Sequence, residues 1–402
     1  MSADRPVRIA LVVGEESGDL LGAGLIEAVR RQRPNAEFFG LAGGRMQAAG
    51  MESLFPVGDV AVMGLGAVVR HLPRIVRRGY QTVAAIFDSD PDVLVIVDSP
   101  DFTHGVAKRV ARRRPDLPIV DYVSPSVWAW RPGRASRMTR FVDHVLALLP
   151  FEPAAHARLG GPPCTYVGHP LIERAGELQP APGERPSLES DPVLLVLPGS
   201  RRTEIARLMP PFGEAVCRIA EARPGLEILL PAVEHLREDI EAALGQWKVR
   251  PRLVLGEAAK FAAFRRAHAA IAASGTVTLE LGLAGVPMVV AYRVDPLARL
   301  LKPFLRVHSI VLTNLVLGEN AIPEFLDDDG TPEVLAREVL ALLSDSPERA
   351  AQLEALRRLT GLMALPEGMQ PSDKAAAIVI EAAENGRGRR AASLQRRAEI
   401  GT

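Results

Sequence analysis

Short apolar segments recur along the sequence, and each is followed by a turn of small or polar residues and then by a helix-like stretch. The first group comprises Arg8–Val13, Val93–Val97, Ile119–Val123 and Val145–Leu149, and the second comprises Val193–Leu197, Glu227–Leu230, Arg252–Leu255, Ala269–Ala273 and Met288–Ala291. Such segments are typical of strands in a parallel sheet, because helices cover both of its faces. The pattern predicts an α/β protein with two Rossmann-like domains in tandem and an active site in the interdomain cleft, at the carboxyl ends of the strands.

The length of 402 residues and the hydrophobic content of 48% are sufficient for two domains with separate cores. Between 173 and 191 the pattern gives way to Pro, Gly, Glu and Ser, which predicts a linker between an N-terminal domain at 1–172 and a C-terminal domain at 192–365. Residues 366–385 predict a terminal helix. The arginine-rich residues 386–402 lack apolar periodicity, so we expect a solvated, disordered tail, with a contact to lipid phosphates as the alternative.

Composition argues against several classes of protein. A formal net charge of zero and an aromatic content of 5% disfavour nucleic-acid binding, which requires a basic surplus or stacking platforms. Cys164 and Cys217 lack partners at metal-ligand spacing and are too few for a disulfide framework. With no apolar run of 18 residues and no signal-peptide core, a cytosolic location is expected. The acidic pair Asp88 and Asp90 precedes a strand instead of following it, so we predict no required metal and no cofactor.

Two turns in the second half have the composition of a phosphate-binding loop. Gly199, Ser200 and Arg201 follow the segment Val193–Leu197, and Ser274, Gly275 and Thr276 follow Ala269–Ala273. Backbone amides and hydroxyl groups at a helix start bind a diphosphate well, and a guanidinium adds a charge-assisted fork. Glu280 lies about one helical turn later, where its carboxylate can accept the hydroxyls of a ribose. The alternatives are ordinary helix starts and a surface carboxylate.

Acidic and hydroxyl side chains also follow strands in the first half. Asp98 comes directly after Val93–Val97 and is a candidate general base for an acceptor hydroxyl, with helix capping as the alternative. Glu15, Glu16 and Ser17 follow the first strand, and we expect them to face the same cleft. They are therefore candidate acceptor-binding residues.

The loop after Ile119–Val123 is unusually rich in aromatic residues. Two tryptophans and an arginine within so short a segment suggest a platform for a sugar ring or an acyl chain, whereas the alternative is a loop that packs into the domain core. The candidate substrate-binding side chains of this loop are Ser124, Ser126, Trp128, Trp130 and Arg131.

The segment Met63–Tyr80 predicts an amphipathic helix. Arginines fill the positions between apolar residues that recur at helical spacing, namely Leu65, Val68, Val69, Leu72, Ile75 and Val76. A basic amphipathic helix of this kind can lie at an anionic membrane surface. The alternative is a helix that packs on the sheet of its own domain.

Several motifs occur together in a fixed order, and the chain resembles lipid-A-disaccharide synthases from about Arg8 to Ala383. The motifs are Gly14-Glu-Glu-Ser-Gly-Asp19, Val123-Ser-Pro-Ser-Val-Trp-Ala-Trp-Arg131, Leu148-Leu-Pro-Phe-Glu152, Gly168-His-Pro170, Leu197-Pro-Gly-Ser-Arg201, Ser274-Gly-Thr276 and Pro287-Met-Val-Val290. The string from Ser124 to Arg131 is the most specific of them. The phosphate-type turns alone would indicate only the wider GT-B glycosyltransferase class.

The resemblance implies an inverting, metal-independent glycosyltransferase of GT-B fold that joins UDP-2,3-diacylglucosamine to 2,3-diacylglucosamine 1-phosphate. The products would be a β-1,6-linked disaccharide 1-phosphate and UDP. It also implies an essential aspartate at Asp98 and an essential arginine at Arg201. The enzyme would be peripheral on the cytoplasmic face of the inner membrane, docked through Met63–Tyr80. It would form homodimers with exchanged C-terminal segments, so that the helix at 366–385 either crosses back to the first domain or packs on a partner.

The region after residue 311 departs from the family pattern, with Thr313 where a proline is usual and Asp327 where a glutamine is usual. In the family this region approaches the donor, so the resemblance implies a donor contact for Asn314. Two rival functions remain open from the sequence. One is another GT-B enzyme, such as a UDP-N-acetylglucosamine 2-epimerase, and the other is a non-catalytic UDP-binding adaptor at a membrane.

Overall fold

A computed structural model describes residues 5–61, 65–190, 192–293, 307–366 and 368–400, with the backbone alone described at 65–70 and 390–400. The chain forms two compact units. The first comprises Met1–Pro170 and Leu365–Thr402, and the second comprises Leu171–Ala364. Within the described ranges, no helix has the length and apolarity needed to cross a membrane.

Each unit contains one six-stranded parallel sheet. The strand order is β2-β1-β3-β4-β5-β6 in the first unit and β12-β11-β10-β7-β8-β9 in the second. The strands are β1 (Arg8–Val13), β2 (Glu37–Leu41), β3 (Val93–Val97), β4 (Ile119–Tyr122), β5 (His144–Ala147), β6 (Cys164–Tyr166), β7 (Val193–Leu197), β8 (Glu227–Ala232), β9 (Arg252–Leu255), β10 (Ala269–Ala273), β11 (Met288–Tyr292) and β12 (Glu324–Leu326).

Helices alternate with these strands, as expected for two Rossmann-like folds. The α-helices of the described residues are α1 (Glu16–Gln32), α2 (Gly44–Ala48), α3 (Leu65–Ser89), α4 (Pro100–Arg113), α5 (Gly133–Met138), α6 (Glu152–Arg158), α7 (Ala175–Leu178), α8 (Arg202–Ala222), α9 (Arg237–Leu244), α10 (Glu257–Arg266), α11 (Val277–Leu283), α12 (Leu312–Leu317), α13 (Pro332–Leu342), α14 (Pro347–Met363) and α15 (Pro371–Ile400). The two-domain α/β prediction is confirmed.

Strand β1 shows why its sequence is apolar throughout. Ile9 and Leu11 pack on one face of the sheet in a cluster with residues of α1 and α15, such as Leu25 and Val379. Ala10 and Val12 pack on the other face of the sheet with residues of α3 and α4. Both faces are covered, so each fully buried aliphatic side chain contributes about 1.5–3 kcal/mol to folding.

The strands that the sequence analysis missed are short and lie toward the edges. β2 begins with exposed and half-buried residues, and β6 and β12 are three residues long and half-buried. Such segments lack the continuous apolar character that marks the central strands. In addition, α1 begins at Glu16, so the polar residues that follow β1 form the first turn of a helix.

Residues 173–190 of the predicted linker are structured in the second unit. Leu178 of α7 is fully buried, and the Arg185 guanidinium donates to the carbonyl oxygens of Ala284 and Gly285 at 2.7 and 3.0 Å. The Pro and Gly content predicted a linker between the two domains. Arg185 instead holds residues 173–190 against the second unit through its hydrogen bonds to these backbone carbonyl oxygens.

The prediction of a disordered tail is wrong for residues 386–400, because α15 continues to Ile400. Arg387 donates to Pro6 O at 2.6 Å and to Asp92 Oδ2 at 2.8 Å, both in the first unit. A side chain at Gly386 would place its Cβ 2.4 Å from Asp92 O, so only glycine permits this close approach. Helix α15 packs on α1 of the same chain. The exchange of this helix with a second copy stays a prediction.

Candidate functional site

Both phosphate-type turns of the second unit line one cavity of about 600 Å³. The first turn follows β7 and the second follows β10, and these strands are hydrogen-bonded neighbours in the sheet. Their carboxyl ends therefore lie side by side. The cavity is lined by all six predicted turn residues and by Glu280. The structure thus brings together the residues that the sequence analysis assigned to a nucleotide sugar, with the exception of Asn314.

The first turn is shaped by Gly199 and Glu204. Gly199 has φ of 112°, and an added Cβ there would lie 2.4 Å from Glu204 Oε2. The Glu204 carboxylate accepts from the Ser200 amide at 3.0 Å and lies 3.4 Å from Arg201 Nη1. The Arg201 side chain remains 62% exposed and lies directly before α8. Since its contact with Glu204 is long and exposed, Arg201 is available to an anionic ligand.

The second turn differs in part from its predicted role. The Ser274 hydroxyl donates to Ile310 O at 2.7 Å, so it anchors the turn and its proton is not available to a phosphate oxygen. Thr276 is exposed, and Gly275 has φ of 156° with no atom within 4 Å of an added Cβ. The backbone and the Thr276 hydroxyl are therefore the accessible groups of this turn.

Lys260 is a cavity residue that the sequence analysis missed. Its Nζ lies 2.9 and 3.0 Å from the two carboxylate oxygens of Glu280, and its ammonium group lies 5.0 Å from the centre of the Phe261 ring. No motif marks α10, so the only signal was a lysine on a helix that precedes β10. The Glu280 carboxylate is paired, and a ribose would share it with Lys260.

Asn314, the predicted donor contact, is a buried residue with hydrogen-bonding partners inside the second unit. Its side chain is fully buried, and its amide forms a reciprocal pair with Ile322, whose backbone N–H and carbonyl lie 2.8 and 2.9 Å away. Asn314 also donates to Ser309 Oγ at 3.2 Å. Its hydrogen-bonding capacity is used within the fold, and it does not line the cavity. Asn314 therefore holds the segment that carries Ile310, the acceptor of the Ser274 hydroxyl.

Asp98 lies at the end of β3 in a strained backbone conformation. Asp98 and Ser99 have φ of 53° and 45°, left-handed values that cost non-glycine residues on the order of 1–3 kcal/mol each. Ser17 Oγ donates to Asp98 Oδ2 at 3.0 Å, and the Ser99 amide donates to Oδ1 at 2.8 Å. An added Cβ at Gly14 would lie 2.4 Å from Ser99 Cβ, so glycine permits this turn. Both carboxylate oxygens are thereby held in position.

The other predicted residues near β1 differ in their exposure and in their contact with the Asp98 carboxylate. Ser17 and Glu16 are exposed in the first turn of α1, whereas Glu15 is half-buried just before it. Of the three, Ser17 has a hydrogen bond to Asp98. The structure therefore confirms that the ends of β1 and β3 come together, as their pairing in the sheet requires.

Two residues of the aromatic loop, Trp128 and Ser124, have hydrogen-bonding partners within the first unit, and their substrate contact stays a prediction. Trp128 Nε1 donates to Glu152 Oε1 at 3.0 Å, and its ring packs edge-on against Phe151. Ser124 is buried and lies 2.9 Å from His156 Nε2. Burial raises the pKa of Glu152 to about 7, although hydrogen bonds from Leu149, Trp128 and neighbouring groups oppose the shift. This buried network fixes the start of the loop.

The rest of the loop is accessible. Trp130 is 39% exposed, and the Arg131 guanidinium lies 4.1 Å from the centre of its ring. Ser126 is exposed. Arg131 has φ of 52° and Val123, at the start of the loop, has φ of 90°, which is rare for a β-branched residue. The loop therefore presents Ser126, Trp130 and Arg131 from a strained backbone.

The predicted amphipathic helix is present as α3, and its contact with a membrane stays a prediction. Leu72 and Val76 are 50% and 43% exposed, and Ile75 is half-buried. The side chains of Leu65, Val68 and Val69 lie outside the described residues, as does Met63. Arg78 lies 2.5 Å and Arg74 lies 3.5 Å from Asp59, so two arginines of this helix have a carboxylate partner in the first unit. The described apolar side chains of the exposed face are thus open to solvent.

Comparisons with known proteins identify the family. The model of the family described as lipid-A-disaccharide synthetase matches residues 9–376. The lipid-A-disaccharide synthase of Nitrobacter hamburgensis is 52% identical over 390 residues, covering 96% of this chain and 98% of the relative. The enzyme of Rhodospirillum centenum is 40% identical over 383 residues, covering 94% of both chains.

Solved structures agree on the fold. The UDP-GlcNAc 2-epimerase from Neisseria meningitidis bound to UDP-GlcNAc aligns with a TM-score of 0.59 at 11% identity, over 93% of this chain and 99% of that one. The calicheamicin glycosyltransferase CalG4 aligns with a TM-score of 0.59 at 17% identity, over 94% and 98%. These likenesses support the two-domain glycosyltransferase fold.

The epimerase and adaptor alternatives are not favoured, because the family match spans nearly the whole sequence. The chain therefore belongs to the lipid-A-disaccharide synthase family, the glycosyltransferases of lipid A biosynthesis.

Proposed function

We propose that this enzyme joins UDP-2,3-diacylglucosamine to 2,3-diacylglucosamine 1-phosphate, and releases UDP and a β-1,6-linked disaccharide 1-phosphate. The observation that carries the proposal is the oriented carboxylate of Asp98, which both Ser17 and the Ser99 amide hold. In the proposed step, Asp98 accepts the proton of the acceptor's 6-hydroxyl. The hydroxyl oxygen attacks the anomeric carbon of the donor, and the bond from that carbon to the diphosphate breaks, with its electron pair leaving on UDP.

The cavity of the second unit supports the donor side of this proposal. Arg201 is the exposed cation at its rim, and a diphosphate would draw the guanidinium away from its 3.4 Å contact with Glu204. The accessible backbone and hydroxyl of Thr276 would meet phosphate oxygens, and the Glu280–Lys260 pair would meet the ribose. Preorganised groups of this kind stabilise charge on a leaving group. Because these groups supply the positive charge, we propose that no metal is required.

We further propose that the enzyme is peripheral on the cytoplasmic face of the inner membrane. Support comes from the exposed Leu72 and Val76 of α3, with Arg74 and Arg77 exposed beside them. Replacing Leu72 and Val76 by serine should weaken binding to anionic vesicles in a flotation assay. Leu362 of α14, which is 46% exposed, provides the control substitution. Equal vesicle binding by all variants would contradict the assignment of α3.

The central experiment incubates the purified enzyme with both acyl sugars and measures UDP and disaccharide together. We expect stoichiometric formation of both products, and we expect the reaction to persist in a metal chelator. Arg201→Ala should weaken UDP binding and turnover by about tenfold to a hundredfold, the range for a lost charge-assisted hydrogen bond. Epimerisation of unacylated UDP-N-acetylglucosamine, or UDP binding without product, would contradict the proposal. Loss of activity in the chelator would contradict metal independence alone.

A further inference from the structure

The first unit contains a cationic cavity of about 460 Å³ that none of the proposed steps uses. It lies between α4 and α5, which follow β3 and β4. Its cationic lining residues are Lys108, Arg131, Arg134 and Arg137. Arg131 is a predicted acceptor-site residue, whereas the other three belong to no motif. The cluster cannot be recognised from sequence spacing, because Lys108 is on α4 and the three arginines follow β4.

The positive charge of this cavity is largely unbalanced. Among the described residues, Arg134 is the one member with a carboxylate partner, Asp101 at 2.9 Å, and that carboxylate is 88% exposed. Burial and the nearby guanidinium groups of Arg134 and Arg137 lower the pKa of Lys108. Four cations facing one exposed carboxylate repel one another, so an anion that enters the cavity would be stabilised by all of them.

Contacts other than ion pairs hold these cations in place. The Lys108 ammonium lies 5.1 Å from the centre of the Phe141 ring, and the Arg131 guanidinium lies over Trp130. Arg137 Nε donates to Gly133 O at 2.8 Å. Groups oriented in this way lose little further conformational freedom when they bind a ligand. These contacts do not neutralise their positive charge. The arrangement resembles a formed binding site more than a solvated surface.

The cavity is adjacent along the fold to the proposed base. Pro100 and Asp101 line it and lie two and three residues after Asp98, at the start of the 14-residue helix α4. The positive end of that helix adds to the potential. A substrate with its hydroxyl at Asp98 would therefore have an anionic group in reach of the cluster. The volume falls within the range for sugar-sized ligands.

We propose that this cavity binds the phosphate monoester of the acceptor, with Lys108 and Arg137 as its main ligands. The inference rests on the proposed function and adds the group that selects a phosphorylated acceptor. A phosphate monoester carries about two negative charges at neutral pH, which matches a site where several cations have no carboxylate partner within the part of the chain that the structure describes. Binding of the phosphate here would orient the sugar so that its 6-hydroxyl approaches Asp98.

The test compares two acceptors, one with the 1-phosphate and one with a free 1-hydroxyl. For Lys108→Ala and Arg137→Ala we expect the acceptor KM to rise on the order of tenfold for the phosphorylated sugar, with kcat changed less than about threefold. The same substitutions should leave the KM of the dephosphorylated acceptor unchanged. Arg140→Ala is the matched control, because Arg140 is exposed just beyond α5 and does not line the cavity. Thermal unfolding and UDP affinity verify that each variant is folded.

Further arms separate the sources of phosphate. Glucosamine 1-phosphate should compete with the acceptor in the unsubstituted enzyme more strongly than in Arg137→Ala, whereas equal competition would overturn the proposal. Loss of binding to anionic vesicles with an unchanged acceptor KM would also overturn it, because the cavity would then serve lipid headgroups. If the unsubstituted enzyme is active and the acceptor KM is unchanged in Lys108→Ala and Arg137→Ala, the phosphate site is wrong and the proposed function still stands. Absence of turnover in the unsubstituted enzyme, with glucosamine 1-phosphate binding still lost in Arg137→Ala, counts against the proposed function alone.

Discussion

The cavity of the second unit and the strand ends of the first unit achieve unusual backbone geometry in opposite ways. At the cavity, positive φ values belong to glycines such as Gly199 and Gly275. At the strand ends of the first unit they belong to Asp98, Ser99 and Val123, which are strained there. Glycine keeps side chains away from a ligand and exposes the backbone. The strained residues instead fix a carboxylate and a loop by side-chain contacts, so we expect the first unit to determine chemistry and the second to determine donor affinity.

Asp98→Asn gives the largest effect and tests that division directly. Removing the base should lower kcat by about a hundredfold to ten-thousandfold, because general base catalysis contributes that much. UDP affinity, measured by calorimetry, should stay within about twofold. A variant that loses UDP binding as strongly as turnover would show that the two functions are not separated.

Glu152→Gln tests whether the buried network holds the aromatic loop. Burial raises the folded-state pKa of Glu152 to about 7, above its ordinary value of 4.5. Its stabilisation is therefore full below about pH 4.5 and is lost as pH rises through 7, a change of up to about 3 kcal/mol. We expect the free energy of unfolding of the first unit to fall across this window and the variant to show a flatter profile. Glu52→Gln, at an exposed position of the first unit, is the control. If the free energy of unfolding of Glu152→Gln fell with pH as steeply as that of the unsubstituted enzyme, the role of this carboxyl would be contradicted.

Gly199→Ala tests the role of glycine in the second unit. Its φ of 112° and the 2.4 Å approach of Glu204 would both be unfavourable for a side chain, costing about 1–3 kcal/mol. UDP affinity should fall by about tenfold as the turn shifts. Gly285→Ala is a matched control, since Gly285 has φ of 64° but no atom within 4 Å of an added Cβ. Equal UDP affinity in both variants would show that the close approach is unimportant.

Ser17→Ala gives the smallest expected effect. It removes the hydrogen bond to Asp98 Oδ2 and leaves the one from the Ser99 amide. A hydrogen bond of this kind is worth about 1 kcal/mol, so kcat should fall several-fold at constant UDP affinity. An unchanged kcat would mean that Ser99 alone orients the carboxylate.

The sequence predicted the central strands, because β1, β3, β7 and β10 have the predicted bounds and their apolar runs reflect burial on both faces. It also predicted the pairing of the two turns in one cavity. The hydrogen bonds that the sequence did not reveal are those with distant partners. Asn314 is committed to Ile322, Ser274 to Ile310, and Trp128 to Glu152. Sequence identifies a polar side chain, but contacts with other elements decide whether it remains accessible.

The missed cations have the same explanation. Lys260 reaches Glu280 from another helix, and Lys108 joins three arginines that follow a different strand. Each is a single lysine in an otherwise ordinary helix, and no local pattern distinguishes it. Only the parallel order of the strands brings these side chains together.

The position of α15 has a consequence for synthesis on the ribosome. Val379 and Ile380 cover the face of the first sheet that includes Ile9 and Leu11, yet they are translated after the whole of the second unit. Until they emerge, the nascent first unit has an uncovered apolar face, which is an aggregation hazard. The second unit has an uninterrupted sequence and can finish folding earlier. Newly made chains would thus depend on chaperones longest for the half that contains Asp98.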